Sequence, residues 1–311
     1  MPAASRHPDY RRTEQLEEDI YGHAMTPETQ AIERADRGVR NILAGNERVI
    51  AAEWHTMFLP WFRQAWQPGQ HIALIGPTGE GKSTFAGGIL DTRKWVLALD
   101  PKGGDETLSR TGYKKLEKWP PPGRDRDRIA EGKPMRYIIG RQARTEAEEK
   151  AHTALMRQAV IGCWSEGGWT INVDEFQLLA DRRMMGLDKD IERLLVAARS
   201  KGTSVVTSFQ APSWVPKAST RQATWVVMWP TRERKMIQVV ADSMGRPWKE
   251  LAAAVDELPP YHVLVIPKQV RAPYVLTHAP KLGMAPPAGP GNRRASGRPG
   301  PRRDRQTTAP R

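Results

Sequence analysis

Cysteine is nearly absent from this chain: Cys163 is the only one in 311 residues. No disulfide can form within the chain, and a reducing cytoplasm is the natural setting. Seven histidines (His7, His23, His55, His71, His152, His262 and His278) are scattered along the sequence. With a single cysteine beside them they offer no zinc-ligand spacing. No run approaches the roughly eighteen apolar residues of a membrane span, and the start, MPAASRHPDYRR, has no apolar signal core. A cytoplasmic protein without a membrane segment of its own is expected. No internal repeat and no Ser/His/Asp grouping stands out. Acidic residues are also in short supply, 35 against 48 Lys and Arg, which leaves a net charge of +13.

What is present is organised around one stretch, His71-Ile72-Ala73-Leu74-Ile75-Gly76-Pro77-Thr78-Gly79-Glu80-Gly81-Lys82-Ser83-Thr84. It fits G-x-x-x-x-G-K-[ST] at every fixed position, with a short apolar strand in front and a helix able to begin by Phe85 behind. Glycines at 76, 79 and 81 let several backbone N–H groups point at one anion, and the positive end of the helix lies behind them. Residues Gly76 to Thr84 therefore read as a nucleoside-triphosphate loop. Lys82 would reach the β- and γ-phosphates, and the Ser83 hydroxyl would ligate Mg²⁺.

Ahead of that loop the chain divides into pieces of different character. Residues 1–25 are polar and mixed in charge, and Thr26-Pro27 is a helix start. Apolar residues from Ile32 through Val49 and Ile50 recur at helical spacing, interrupted by Gly38 and Gly45, so two helical pieces are expected. Trp54, Phe58, Trp61, Phe62 and Trp66 form an aromatic cluster that suits packing onto the core better than base stacking. Residues 1–67 are thus expected to be a helical extension, partly disordered, able to meet a protein partner. Residues 68–279 are the expected motor domain.

Further along, Trp95–Asp100, Arg136–Gly140, Trp169–Val173, Thr203–Phe209, Trp225–Trp229 and His262–Ile266 read as strands. Thr145–Trp164, Asp188–Lys201 and a segment through Ile237 and Met244 read as helices. Residues 103–134, rich in Gly, Pro and charge, look like a surface excursion. The alternation predicts an α/β fold, a mostly parallel sheet with helices on both faces. Such sheets bind ligands at the carboxyl ends of their strands, where Gly76, Asp100, Asp174 and Gln210 all fall. In Val173-Asp174-Glu175 an apolar strand ends in two carboxylates. Asp174 would organise the Mg²⁺ shell, and Glu175 would accept a proton from the attacking water. Gln210 is placed to sense the γ-phosphate or orient the water.

These residues carry a resemblance. His71-x-x-x-x-Gly76-x-Thr78-Gly79-x-Gly81-Lys82-Ser83, then Asp100-Pro101-Lys102-Gly103-Gly104, Asp174-Glu175, and Arg199-Ser200-Lys201-Gly202 followed by Gln210-Ala211-Pro212 resemble the motor domain of the FtsK/HerA superfamily. Its members are hexameric DNA-pumping ATPases, among them conjugative coupling proteins and small viral packaging ATPases. Ser208-Phe209-Gln210 stands where the family has Ala-Thr-Gln. The resemblance implies a RecA-like P-loop NTPase fold, ATP and Mg²⁺ as ligands, double-stranded DNA as partner, and a ring, a homo-hexamer or another size, with sites between subunits. By the same resemblance Glu175 is the base, Gln210 the sensor and Arg199 an arginine finger. Arg182, Arg183 and Arg221 remain alternatives for the finger.

The last stretch, residues 280–311, is built of Pro, Gly, Arg, Ala and Ser. Residues 281–311 hold one Lys and seven Arg against one Asp, a net +7. Such a tail buries too little to offset its ordering entropy and is expected to be disordered. Its arginines suit a phosphate backbone, or serve solubility alone. The function expected is an ATP-driven double-stranded DNA translocase. A regulatory or protein-remodelling ATPase and a single-strand helicase stay open.

Overall fold

The computed structural model describes residues 49–104, 112–140, 143–181, 185–210, 217–269 and 272–278, with Arg34, Arg37 and Val39 in a helical segment. The expected helix start at Thr26, the basic tail, and Arg182 and Arg183 lie outside the described residues.

Ten strands form one sheet. They are β1 (Val49–Ala51), β2 (His71–Ile75), β3 (Trp95–Asp100), β4 (Lys114–Lys115), β5 (Met135–Gly140), β6 (Thr170–Val173), β7 (Ser204–Phe209), β8 (Ala223–Met228), β9 (His262–Pro267) and β10 (Tyr274–His278). Their order is β1-β10-β9-β8-β2-β7-β6-β3-β5-β4. β9 runs against both β8 and β10, and every other pairing is parallel. This is the expected mostly parallel α/β sheet of a RecA-like P-loop fold. β7 lies between the loop strand β2 and the carboxylate strand β6.

The helices are α1 (Leu59–Ala65, entered through a π-type turn at Trp54–Phe58), α2 (Lys82–Leu90), α3 (Gly123–Ala130), α4 (Glu146–Glu166), α5 (Phe176–Ala180), α6 (Asp188–Ala197), α7 (Lys217–Gln222), α8 (Arg234–Met244) and α9 (Trp248–Asp256). Thr145 caps α4 by accepting from the Glu148 N–H, and three glutamates fill its first turn, where the helix dipole favours them.

The period of two along each strand sorts side chains onto two faces. Ala73, Ile75, Leu97, Leu99, Ile171 and Val173 bury against α4, α6, α8 and α9. Ile72, Leu74, Val96, Ala98, Val206 and Val227 bury against α2 and the aromatic segment before β2. Rings continue across that second face: Trp54 lies 5.1 Å from Phe58 and 4.9 Å from Phe85, and Phe85 lies 5.4 Å from Trp229. Gly88 makes this approach possible, since a Cβ there would stand 2.5 Å from the Trp54 ring. Trp54, Phe58, Phe62 and Trp66 are buried, so packing accounts for them and they offer no surface to a base.

Three expectations need correction. Val49 and Ile50, grouped above with the helical repeat, form β1, which pairs with β10. Both residues are β-branched and buried, which suits a strand covered on its faces as well as a buried helix face. The sheet therefore takes in residues from Val49 onward. His262–Ile266 is not the last strand, because β10 follows it in antiparallel pairing. The segment Asp188–Lys201 is not one helix: α6 ends at Ala197, and Ala198–Lys201 tightens into a 3₁₀ turn that closes at left-handed Gly202. The excursion at 103–134, for its part, contains α3 and the two-residue edge strand β4.

Candidate functional site

β2 delivers the phosphate loop. Its glycines 79 and 81 take positive φ, +85° and +91°, and α2 begins at Lys82, so Lys82, Ser83 and Thr84 are its first turn. The loop N–H groups and the helix dipole thus share one focus. Pro77, Thr78 and Gly79 face solvent. Lys82 is only 7% exposed, and its ammonium donates to the carbonyls of Gly76, at 2.7 Å, and of Pro77. Burial pushes its pKa down to about 8, against the pull of the Asp174, Glu175 and Glu80 carboxylates.

β6 ends at Val173 and delivers the two carboxylates. Asp174 is tied by its N–H to the Leu99 carbonyl at 3.3 Å. Glu175 then takes a left-handed backbone, φ 46° and ψ 56°, as the residue that starts α5. A non-glycine residue there costs about 1–3 kcal/mol, and such strain gathers at functional sites. The turn leaves Glu175 8% exposed. Its Oε1 accepts from the Gln210 amide at 2.6 Å, and Gln210 Oε1 accepts from the Thr78 hydroxyl at 2.8 Å. The loop, the end of β7 and the end of β6 are therefore one hydrogen-bonded chain.

A residue that sequence reasoning quoted but gave no role joins it. The Lys102 ammonium pairs with the same Glu175 oxygen. Asp100, buried at the end of β3, accepts from the N–H groups of Lys102 at 3.1 Å and Gly103 at 2.9 Å. The Asp-Pro-Lys-Gly run is thus an Asx-type turn that holds Lys102 in place. The signal was in the motif; its target across two strands was not.

Arg199 stands apart. It is exposed on the 3₁₀ turn before β7, and its backbone packs on Gly69, ahead of β2. The five residues of β2, about 17 Å of strand, lie between it and the phosphate loop. Arg221, on α7 just before β8, is at the same remote end. His71 braces that end. Its Nδ1 accepts from the Val205 N–H at 3.0 Å, so its Nε2–H donates to the Leu195 carbonyl, also at 3.0 Å. Burial, with the Arg199 charge adding to it, lowers the His71 pKa to about 4.

The donor set suits Mg²⁺, which keeps waters and takes one or two protein oxygens together with phosphate. The Ser83 hydroxyl and the Asp174 carboxylate are oxygen donors of that kind. Among the described residues no cluster of three or more His, Cys, Asp or Glu could hold a metal by itself, and no helix is long and apolar enough to cross a membrane.

No family model matches the chain, and no curated protein matches it either. Solved structures share part of its architecture. The genome packaging NTPase B204 from Sulfolobus turreted icosahedral virus 2, in complex with AMP, is 18% identical with a TM-score of 0.48, over 70% of this chain and 100% of that one. The pCW3 conjugation coupling protein TcpA, in its monomer form with ATPγS, is 14% identical with a TM-score of 0.40, over 68% of this chain and 60% of that one. The cytoplasmic domain of the Type VII secretion ATPase EccC of Thermomonospora curvata is 17% identical with a TM-score of 0.41, over 68% of this chain and 25% of that one. The first two are proteins of the kinds that the sequence motifs resemble.

Proposed function

We propose that this chain is an ATP-driven double-stranded DNA translocase or packaging motor of FtsK/HerA type, a cytoplasmic ATP hydrolase whose sites form between subunits of a ring. The observation that carries the reading is the split geometry. Gly76–Thr84, Asp174, Glu175 and Gln210 gather at one end of the sheet, while the exposed Arg199 stands at the other.

In this reading the loop N–H groups hold the phosphates, and Lys82 leaves the carbonyls of Gly76 and Pro77 to meet the β/γ charge. Glu175 takes the proton of the attacking water. Gln210, hydrogen-bonded to both Thr78 and Glu175, reports the terminal phosphate to the base. Ser83 and Asp174 would hold Mg²⁺, which would supply neutralisation of the phosphate oxygens. Arg199 of one subunit completes the site of the next, since it cannot reach its own.

The DNA partner is supported by the motif resemblance and by the net +7 of residues 281–311. ATP hydrolysis measured with and without duplex DNA tests it. Stimulation by duplex of any sequence is expected. Hydrolysis indifferent to DNA would favour a protein-remodelling ATPase, and strand displacement on a tailed duplex would favour a helicase.

A further inference from the structure

The direction of the triphosphate follows from the site. Gln210 and Glu175 close the loop on its β7 and β6 side, so the terminal phosphate points that way. The nucleoside then lies on the opposite side, over β8 and β9. This step rests on the nucleotide reading above.

Because β9 is antiparallel, its beginning stands at the phosphate-loop end of the sheet. Ile75 pairs with Met228, and Met228 with Leu264. The phosphate loop follows directly on β2, and Tyr261 stands directly before β9, so both are at this end of the sheet. Only β8 lies between β2 and β9, which puts these two strands two spacings apart, about 10 Å. That is the span from the β-phosphate of a nucleoside triphosphate to its base.

The turn that carries Tyr261 is unusual. The His262 N–H donates to the Pro259 carbonyl at 3.1 Å, closing a four-residue turn with Pro260 second and Tyr261 third. Tyr261 has φ +64°, the value that a type II turn demands of its third residue, where glycine ordinarily stands. Its N–H faces a carboxylate oxygen of Glu80, within the phosphate loop, at 3.5 Å. Tyr261 is 57% exposed. Ile161 and Val196 are the other exposed large hydrophobics among the described residues, and neither is at this end. The backbone thus accepts strain and leaves a large ring open, beside the loop and at nucleobase distance.

We infer that the Tyr261 ring is the stacking surface for the base of the bound nucleoside triphosphate. A π face with no hydrogen-bonding partner of fixed geometry is tolerant of base identity, and it favours the larger purines.

Binding of ATP and of inorganic tripolyphosphate to the parent, Tyr261→Gly and Tyr261→Phe, measured by titration calorimetry, tests this. Tyr261→Gly should weaken ATP by about tenfold. Tyr261→Phe should stay close to the parent, and tripolyphosphate, which has no base, should bind all three alike. The unliganded Tyr261→Gly should melt no lower than the parent, because glycine suits the turn. Unchanged ATP affinity in Tyr261→Gly would overturn the proposal. So would an equal loss for both ligands, which would place the effect in the Glu80 contact with the loop. A parent that binds neither ligand would overturn the nucleotide reading itself, and the stacking surface with it.

Discussion

The two ends of the sheet are built on opposite principles. At the carboxyl end, charged and polar groups close on one another: Lys82 on the loop carbonyls, Lys102 and Gln210 on Glu175, Thr78 on Gln210. At the amino end the groups inside are neutral and locked, with His71 bonded on both nitrogens, while Arg199 reaches outward. In the function proposed above, the first end is a site whose ligand would open these internal pairs, and the second carries a charge meant for a neighbouring subunit. Half of a hydrolytic site at each end of one sheet is what the proposed ring of identical subunits would use.

The largest effects should come from breaking the carboxyl end. Lys82→Ala should abolish turnover, since the β/γ charge is left uncompensated. Glu175→Gln should keep ATP bound and hydrolyse none, because the amide keeps the shape but cannot take the proton. Nucleotide binding and phosphate release measured side by side separate the two; normal release from Glu175→Gln would remove Glu175 from its role.

Breaking the amino end should be milder and of a different kind. Arg199→Ala should bind ATP as the parent does and hydrolyse it more slowly by a factor on the order of 10³, if GTPase fingers are a guide. Unaltered turnover would pass the role to Arg182, Arg183 or Arg221.

Acid should then act on the amino end. His71 titrates at about 4 in the fold, against an ordinary value of 6.5, so the unfolded chain binds more protons between these values. Its contribution to stability is complete above pH 6.5 and is lost as pH falls toward 4, about 3 kcal/mol in all. Protonated Nδ1 cannot accept from Val205. Thermal melts from pH 7 to 4 should show a falling midpoint, and His71→Gln should flatten that slope.

Alkali should act on the carboxyl end. Lys82 titrates at about 8 without ligand, and phosphates would restore its charge. Above that pH, binding must take up a proton, so ATP affinity should fall by about tenfold per pH unit. Calorimetry in buffers of different ionisation enthalpy measures the uptake. A flat profile from pH 8 to 10 would mean that Lys82 stays charged in the free protein.

The parts of this arrangement visible in the sequence were those with local signals. Apolar runs marked β2, β3, β6 and β7, and residues just past them are the ones that hydrogen bonds join at the carboxyl end of the sheet. β1 and β4 escaped, being three and two residues long at the sheet edges. β10 was hidden by Pro267 and Pro273, which read as loop although the first closes β9 and the second stands just before β10. The pairing of Lys102 with Glu175 joins residues 73 positions apart, and no spacing rule announces it. Tyr261 was obscured for the opposite reason: an aromatic in a glycine's place gives no turn signal.

The central claim, that one chain carries two halves of different sites, is tested most directly by mixing two inactive proteins. Arg199→Ala subunits keep the base, and Glu175→Gln subunits keep the finger. In a mixed assembly, interfaces that join the intact Glu175 to the intact Arg199 should hydrolyse ATP, so activity should reappear on mixing and peak near equal proportions. No recovery at any ratio, or a dilute monomer of the parent that hydrolyses ATP at full rate, would contradict it.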